Sequence, residues 1–268
     1  MRRDHRRLHR AVVTTLEAVQ GILDREEYGS VITFVDGPAL GSKVVLASDG
    51  QVVTGELPAE IADDLTADAR VLMDHEQHRA IEYPPHTVFI ESLAPPQEMV
   101  IVGAVHIGQA LASFAGQMGY RVTVIDSRGA FATPERFPNA RILVGWPENV
   151  LDQVTLDRRT WMIILSHAPA HEDPVLEAAL KSPVRYIGCM GSRRTQDLRV
   201  GRLREMGFSD EDIARVRGPV GLDIGAESPQ EVAVSILAEM TLVRYGHGTG
   251  LSLHGIEGRV HKQRPEQE

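Results

Sequence analysis

The residues best placed for chemistry are Gly103, Gly108 and Asp126, spread over the stretch MVIVGAVHIGQALASFAGQMGYRVTVID from Met99 to Asp126. An apolar run, Met99–Val102, meets a glycine turn at Gly103. A helical pattern follows from His106 to Met118, and a second apolar run, Val122–Ile125, ends on Asp126. Such a β-turn-α-β unit builds a nucleotide site from backbone geometry. The turn lets a phosphate approach the helix N-terminus, and the acid can hydrogen-bond ribose hydroxyls. The dinucleotide fingerprint wants glycine at positions 103, 105 and 108, and position 105 is Val. The middle glycine lacks a Cβ so that pyrophosphate can touch the backbone. Val105 therefore predicts a hindered phosphate site or a ligand seated differently. The plainer reading is a doubly wound domain that kept the fold without the nucleotide.

Three further strand ends carry groups of interest. The first reads Ser166-His167-Ala168-Pro169-Ala170-His171-Glu172-Asp173. Two imidazoles and a carboxylate offer a metal reading, but spacing within a loop fixes no geometry. The favoured reading has His167 lining a cleft and Asp173, ahead of Pro174, capping the next helix. The second, Gly191-Ser192-Arg193-Arg194-Thr195, joins a glycine turn, a hydroxyl N-cap and two guanidinium groups, which suits a phosphate or another oxyanion. An ordinary capped helix with surface arginines would look the same. Cys189 just before it reads as a small core residue. The third, Gly221-Leu222-Asp223-Ile224-Gly225-Ala226-Glu227, is a glycine-rich loop whose two acids, Asp223 and Glu227, suggest a ligand-facing segment or an exposed turn. Ser228, Pro229 and Glu231 then spell a capping box.

Elements must position these groups. Leu8, Val12, Leu16, Val19 and Leu23 recur at helical spacing and predict a helix over 5–27. Strands are expected at 31–35, 44–47 and 51–54, with Asp49-Gly50 as a hairpin turn, and at 87–92; residues 58–79 read as mixed helix and loop. Pro84-Pro85 and Pro95-Pro96 punctuate the chain, and the second pair marks a domain boundary. Beyond it, strands near 99–103, 121–126, 141–145, 160–166 and 184–190 alternate with helices near 105–118, 171–181, 192–206, 209–215 and 229–245. Alternation of this kind predicts a doubly wound, Rossmann-like parallel sheet, with ligands beyond the carboxyl ends of its strands. The expected organisation is a small N-terminal α/β domain (1–96), the Rossmann-like domain (97–245) and a loose tail (246–268).

Composition narrows the function classes. Hydrophobic residues make up 43% and charged residues 24%, ordinary for a globular protein of 268 residues. The net charge is −9; the first ten residues hold five Arg and one Asp, a local +4, so the remainder carries −13. An acidic body argues against a nucleic-acid partner, and the basic start reads as the solvated face of a first helix. A single cysteine excludes an intrachain disulfide. No apolar run approaches the length of a membrane span, and the basic start is not followed by a signal-type apolar core, so a cytoplasmic location with no membrane partner is expected.

The blocks IVGAVHIGQALA (101–112), VTVIDSR (122–128), RFP (136–138), YIGCMGSRRT (186–195) and GLDIGAESPQEVAVSILAEM (221–240), in this order, resemble the XdhC/CoxI family, accessory proteins of molybdenum hydroxylases such as xanthine dehydrogenase and carbon monoxide dehydrogenase. The resemblance covers about 86–245 and extends more weakly to VDGPALGSKVVLASDG (35–50). It implies a maturation factor rather than a catalyst. Such a protein binds the molybdenum cofactor, a molybdopterin with a phosphate or dinucleotide tail, and hands it to an apo molybdenum hydroxylase, with a cysteine desulfurase as a further partner and a homodimeric assembly. On this reading Gly103, Gly108, Ser192, Arg193 and Arg194 serve the phosphate tail, and Val105, His106 and Gly191 are further cofactor-binding positions. Asp126 and Arg128 stand at the second strand end, His167 and Asp173 face the pterin or metal end, and Asp223 and Glu227 border the ligand. The chain departs from the family at Val105 and at Gly55-Glu56-Leu57-Pro58, where members carry a Gly-Gly-Cys-type segment. The reading from another class is an NAD(P)-dependent oxidoreductase: Asp126 favours a free ribose 2′-hydroxyl, and Arg128 would tolerate a 2′-phosphate.

Overall fold

A computed structural model describes residues 13–166, 168–246 and 248–255. The first part of the expected N-terminal helix, the basic start, His167 and most of the expected tail lie outside the described residues. The chain divides into two compact units, 1–95 and 96–268.

The first unit is a five-stranded antiparallel sheet built from β1 (Gly29–Asp36), β2 (Lys43–Ala47), β3 (Val52–Thr54), β4 (Arg79–Tyr83) and β5 (His86–Leu93), in the order β3-β2-β1-β5-β4. The β2–β3 hairpin turns at Asp49-Gly50, as the sequence predicts. Neighbouring residues on β1 point to opposite faces. Ile32 and Phe34 pack under α2 (Ala62–Asp74) with Leu65, Ala69 and Leu72, whereas Val31 packs with Ala18 and Ile22 of α1 (Thr15–Asp24).

The second unit is a six-stranded parallel sheet. Its strands are β6 (Glu98–Val102), β7 (Arg121–Asp126), β8 (Ala140–Val144), β9 (Thr160–Ile164), β10 (Tyr186–Cys189) and β11 (Val216–Arg217), in the order β11-β10-β9-β6-β7-β8. Numbered within the unit, that is 6-5-4-1-2-3, the arrangement of dinucleotide-binding folds. Parallel strands covered on both faces read as unbroken apolar runs. In β6, Met99 and Ile101 pack against α3 (His106–Gln117) and α8 (Pro229–Tyr245), while Val100 and Val102 face α5 (Pro169–Leu180). Helices α6 (Arg193–Glu205) and α7 (Asp210–Ala214) continue that second layer, and the one-turn α4 (Pro147–Val150) follows β8. Cys189 is fully buried among Ile187, Leu203 and Ile164, the core role its sequence position suggests. Burial pushes its thiol up to about 12, which keeps it protonated and inert. Among the described residues no helix is long and apolar enough to cross a membrane.

Candidate functional site

Strand order reverses between β6 and β9, and a cavity of about 280 Å³ opens there at the carboxyl edge of the sheet. Such switch points are where doubly wound sheets bind ligands. Val102 and Gly103 line the cavity from β6, Asp126, Ser127 and Arg128 from the end of β7, and Leu165 and Ser166 from the end of β9, with Val105 and His171 from the helices.

The glycine turn is built as its sequence predicts. Gly103 has φ +116°, a conformation that side-chain-bearing residues rarely adopt. A Cβ on Gly108 would stand 2.8 Å from the Gly103 carbonyl oxygen, so helix and strand meet this closely only with glycine there. Val105 is the N-cap of α3 at φ −86° and ψ 177°, ordinary extended backbone, and it offers no side-chain cap. The first amides of α3 are therefore left without a side-chain acceptor beside a cavity, where an anion would satisfy them. His106, the first residue of the helix, is exposed and does not line the cavity.

Asp126 requires a correction. The sequence predicts an acceptor for ribose hydroxyls, but the side chain is buried and its acceptor positions are filled. Oδ2 accepts from the Ala104 amide at 2.7 Å and from Arg128 Nη2 at 2.8 Å; Oδ1 accepts from the Arg128 amide and Nε, both at 2.9 Å. A carboxylate offers about four lone-pair positions. Burial alone would raise its pKa, but the hydrogen bonds from Arg128 and from the two backbone amides outweigh that and hold it below the usual carboxylate value. Asp126 thus braces the glycine turn, and the group presented at this rim is the half-exposed Arg128 guanidinium, stacked 4.4 Å over Phe131.

His171 is the ring that enters the cavity. Its Nε2 lies 3.1 Å from Ser127 Oγ and its Nδ1 3.5 Å from Ser166 Oγ, and Trp146 stacks on its face. Asp173 also requires a correction. Helix α5 starts at Pro169, with Ala168 as its N-cap, so Asp173 lies inside the helix. There it pairs with Arg202 at 3.0 Å. Residues two apart on a helix face different ways, so His171 and Asp173 do not converge. Among the described residues no group of three His, Cys, Asp or Glu side chains could hold a metal.

Ser192 caps α6 as expected, accepting from the Thr195 amide, and Gly191 has φ +144°. Arg193 and Arg194 are exposed at the same sheet edge, beyond β9, and neither lines the cavity. Asp223 and Glu227 are also exposed and outside it. Their loop is bound to α8: the Gly221 amide donates to Glu239 Oε2 at 2.8 Å, and Ser235 Oγ donates to the Leu222 carbonyl. Tyr186 of β10 donates to the same Glu239 oxygen. The capping box on α8 forms as the sequence predicts.

Sequence reasoning missed the deepest ionic group in this unit. Arg199 of α6 is fully buried; it donates to Glu172, one residue past His171, and to the Met190 carbonyl at 2.9 Å. Arg202 takes the other Glu172 oxygen at 2.8 Å. The spacing between α5 and α6 gives no local signal of this pair.

Comparison with known proteins agrees with this geometry. The chain is 33% identical over 167 residues to the uncharacterized protein YqeB of Escherichia coli (strain K12), covering 62% of this chain and 31% of that protein. It is 31% identical over 159 residues to a probable xanthine dehydrogenase subunit of Bacillus subtilis (strain 168), 59% of this chain and 46% of that one. It is 33% identical over 150 residues to the molybdenum cofactor insertion chaperone PaoD of Escherichia coli (strain K12), 56% and 41% respectively. The chain thus spans less than half the length of these curated relatives. A solved structure described as a xanthine dehydrogenase from Bacillus halodurans shares the fold, with a TM-score of 0.52 at 18% identity over 89% of this chain and 98% of that one. The model of the XdhC Rossmann domain matches residues 99–240, just over half of the chain and all but the first residue of the sheet that frames the cavity; this protein belongs to the XdhC family.

Proposed function

We propose that this chain is a non-catalytic maturation factor that binds the molybdenum cofactor and hands it to a molybdenum hydroxylase of the xanthine or carbon monoxide dehydrogenase type. The observation that carries the reading is the switch-point cavity, where an uncapped helix N-terminus, Arg128 and two hydroxyls converge. The names of two relatives, a molybdenum cofactor insertion chaperone and a probable xanthine dehydrogenase subunit, support it. The donor set fits the phosphate and pterin ends of such a cargo. The α3 amides, Arg128, Ser127 and Ser166 would take the phosphate, and the pterin ring would stand at the rim on the His171 side. At about 280 Å³ the cavity is at the small end of ligand pockets, roughly 300–1,000 Å³, so it accommodates one moiety and leaves the rest at the rim. In a dinucleotide form the distal phosphate would reach towards Arg193 and Arg194. The only cysteine is buried, so this chain supplies no reactive thiol, and sulfur for the cofactor would come from a cysteine desulfurase partner. In this reading the factor works as a homodimer in the cytoplasm.

The test is hand-over. The protein purified anaerobically from cells that make the cofactor should carry molybdenum and pterin, and should restore activity to an apo-hydroxylase. Absence of both, with micromolar NAD(P) binding, would sink the proposal. The strand order and the Gly103–Gly108 contact favour a second reading, an NAD(P)-dependent oxidoreductase. The filled acceptors of Asp126 and the side chain of Val105 weigh against it.

A further inference from the structure

We infer that Trp146 is the stacking platform for a planar fused heteroaromatic ring that carries a phosphate, so that the cavity takes its ligand phosphate-inward and ring-outward. The inference rests on reading the cavity as the cofactor site and adds the group that recognises the ring. Asp126 and Val144 are paired in register on β7 and β8, and the Gly145 amide donates to the Asp126 carbonyl at 3.1 Å. Arg128 and Trp146 each stand two residues beyond that pair, so the sheet delivers them to neighbouring places on one rim. His171 covers one face of the indole, with centroids 4.4 Å apart and planes at 24°, and is itself held by Ser127. Trp146 nevertheless stays 46% exposed. The chain has two tryptophans, and the other, Trp161, is fully buried in the core. A large apolar ring fixed by a cavity-lining histidine and left open to water offers a preformed π surface. On the Arg128 side, Phe131 is also 42% exposed under the guanidinium. Arg128 spends Nε and Nη2 on Asp126, which leaves Nη1 for an oxyanion. Ring and phosphate recognition thus meet at one rim, and stacking accepts any flat fused heterocycle because every such ring has a π face.

The test uses small probes without molybdenum: neopterin monophosphate, adenosine monophosphate, and glycerol 3-phosphate as a ringless control. Both ring compounds should quench the tryptophan fluorescence of the native protein; glycerol 3-phosphate should not. By calorimetry, Trp146→Leu should weaken both ring compounds roughly tenfold or more, and leave glycerol 3-phosphate unchanged. Trp146→Phe should stay within about threefold of wild type, because an aromatic face remains. A thermal melt of Trp146→Leu close to wild type shows that the loss is local. Equal binding in Trp146→Leu, equal affinity for the ringless control, or no binding of either ring compound at millimolar concentration would overturn the inference. Hand-over without any dependence on Trp146 removes the stacking platform alone. Ring binding without hand-over removes the proposed function and leaves the platform standing.

Discussion

The guanidinium of Arg128 lies edge-on along the carboxylate of Asp126, Nε to Oδ1 at 2.9 Å and Nη2 to Oδ2 at 2.8 Å. With the Ala104 amide on the same carboxylate, the pair ties the end of β7 to the glycine turn after β6. An acid at this place in a dinucleotide site reads a ribose; here it holds the turn, and the half-exposed arginine lines the cavity.

Asp126→Asn tests that brace. The folded carboxyl titrates below its ordinary value, so its stabilisation is fully present above the unfolded pKa, about 3.9, and is lost as pH falls through the lower folded value. At neutral pH the variant should be less stable by about 1.5–3 kcal/mol, the worth of a hydrogen bond to a charged group. The gap should close as pH falls below about 4. Urea unfolding at several pH values measures it. A gap that stays constant down to the acid limit would show that the charge contributes nothing to the brace.

Glu172 and Arg199 should behave as a buried ion pair. Removing one partner, as in Arg199→Met or Glu172→Gln, leaves an uncompensated charge or an unmet donor and should cost about 3–5 kcal/mol. Replacing both with leucine should recover much of that, because the desolvation cost leaves with the charges. Denaturant unfolding of the two single variants and the double variant decides it. A double variant as unstable as the sum of the singles would mean that the two side chains do not act as a pair.

Most of the second unit is legible in the sequence because its signals are local. The runs of β6, β7 and β9, the Gly103 turn and the Ser192 and Ser228 caps each lie within a few residues. Two strands carry too little signal. In β4 half-buried and exposed positions alternate and none is buried, and β11 is two residues long and pairs only with β10. Asp173-Pro174 imitates a helix cap, whereas α5 begins a turn earlier and turns Glu172 inward to Arg199. The cavity is legible in place but not in membership. Ser127 and His171, which line it, follow β7 and β9, and Trp146, which stacks on His171, follows β8; only the tertiary fold brings the three together. Two of the five blocks that carry the family resemblance, 186–195 and 221–240, are physically joined through Tyr186, Gly221 and Glu239.

Arg193 and Arg194 stand beyond β9, two strands from the Gly103 turn, roughly 10 Å at about 4.8 Å per strand. The two phosphates of a dinucleotide share one bridging oxygen, so the gap is closed by the length of the arginine side chains, which would meet the outer phosphate before the inner one. Replacing both with alanine should weaken binding of the dinucleotide form of molybdopterin by about 1.5–3 kcal/mol per lost contact, with little change for the phosphomonoester form. The thermal midpoint should hardly move, since exposed charges contribute little to stability. Calorimetric titration with the two forms separates the cases. Equal, unchanged affinity for both would make these arginines surface residues only.

Val105→Gly bears most directly on what the cavity admits. The backbone there is ordinary extended conformation, so glycine is not needed for geometry. What the substitution removes is an isopropyl group on the cavity wall, at the place where pyrophosphate approaches the backbone of a dinucleotide site. NAD and NADP affinity should therefore rise in the variant, while stability falls by about 0.5–1 kcal/mol from backbone entropy. NADP should gain more than NAD, because the acceptors of Asp126 are occupied and Arg128 stands at the rim ready for an additional phosphate. Titration of wild type and variant with both nucleotides measures the two gains. A wild-type protein that already binds NAD(P) tightly, with no improvement in the variant, would show that valine never obstructed the turn, and would return the chain to the oxidoreductase reading.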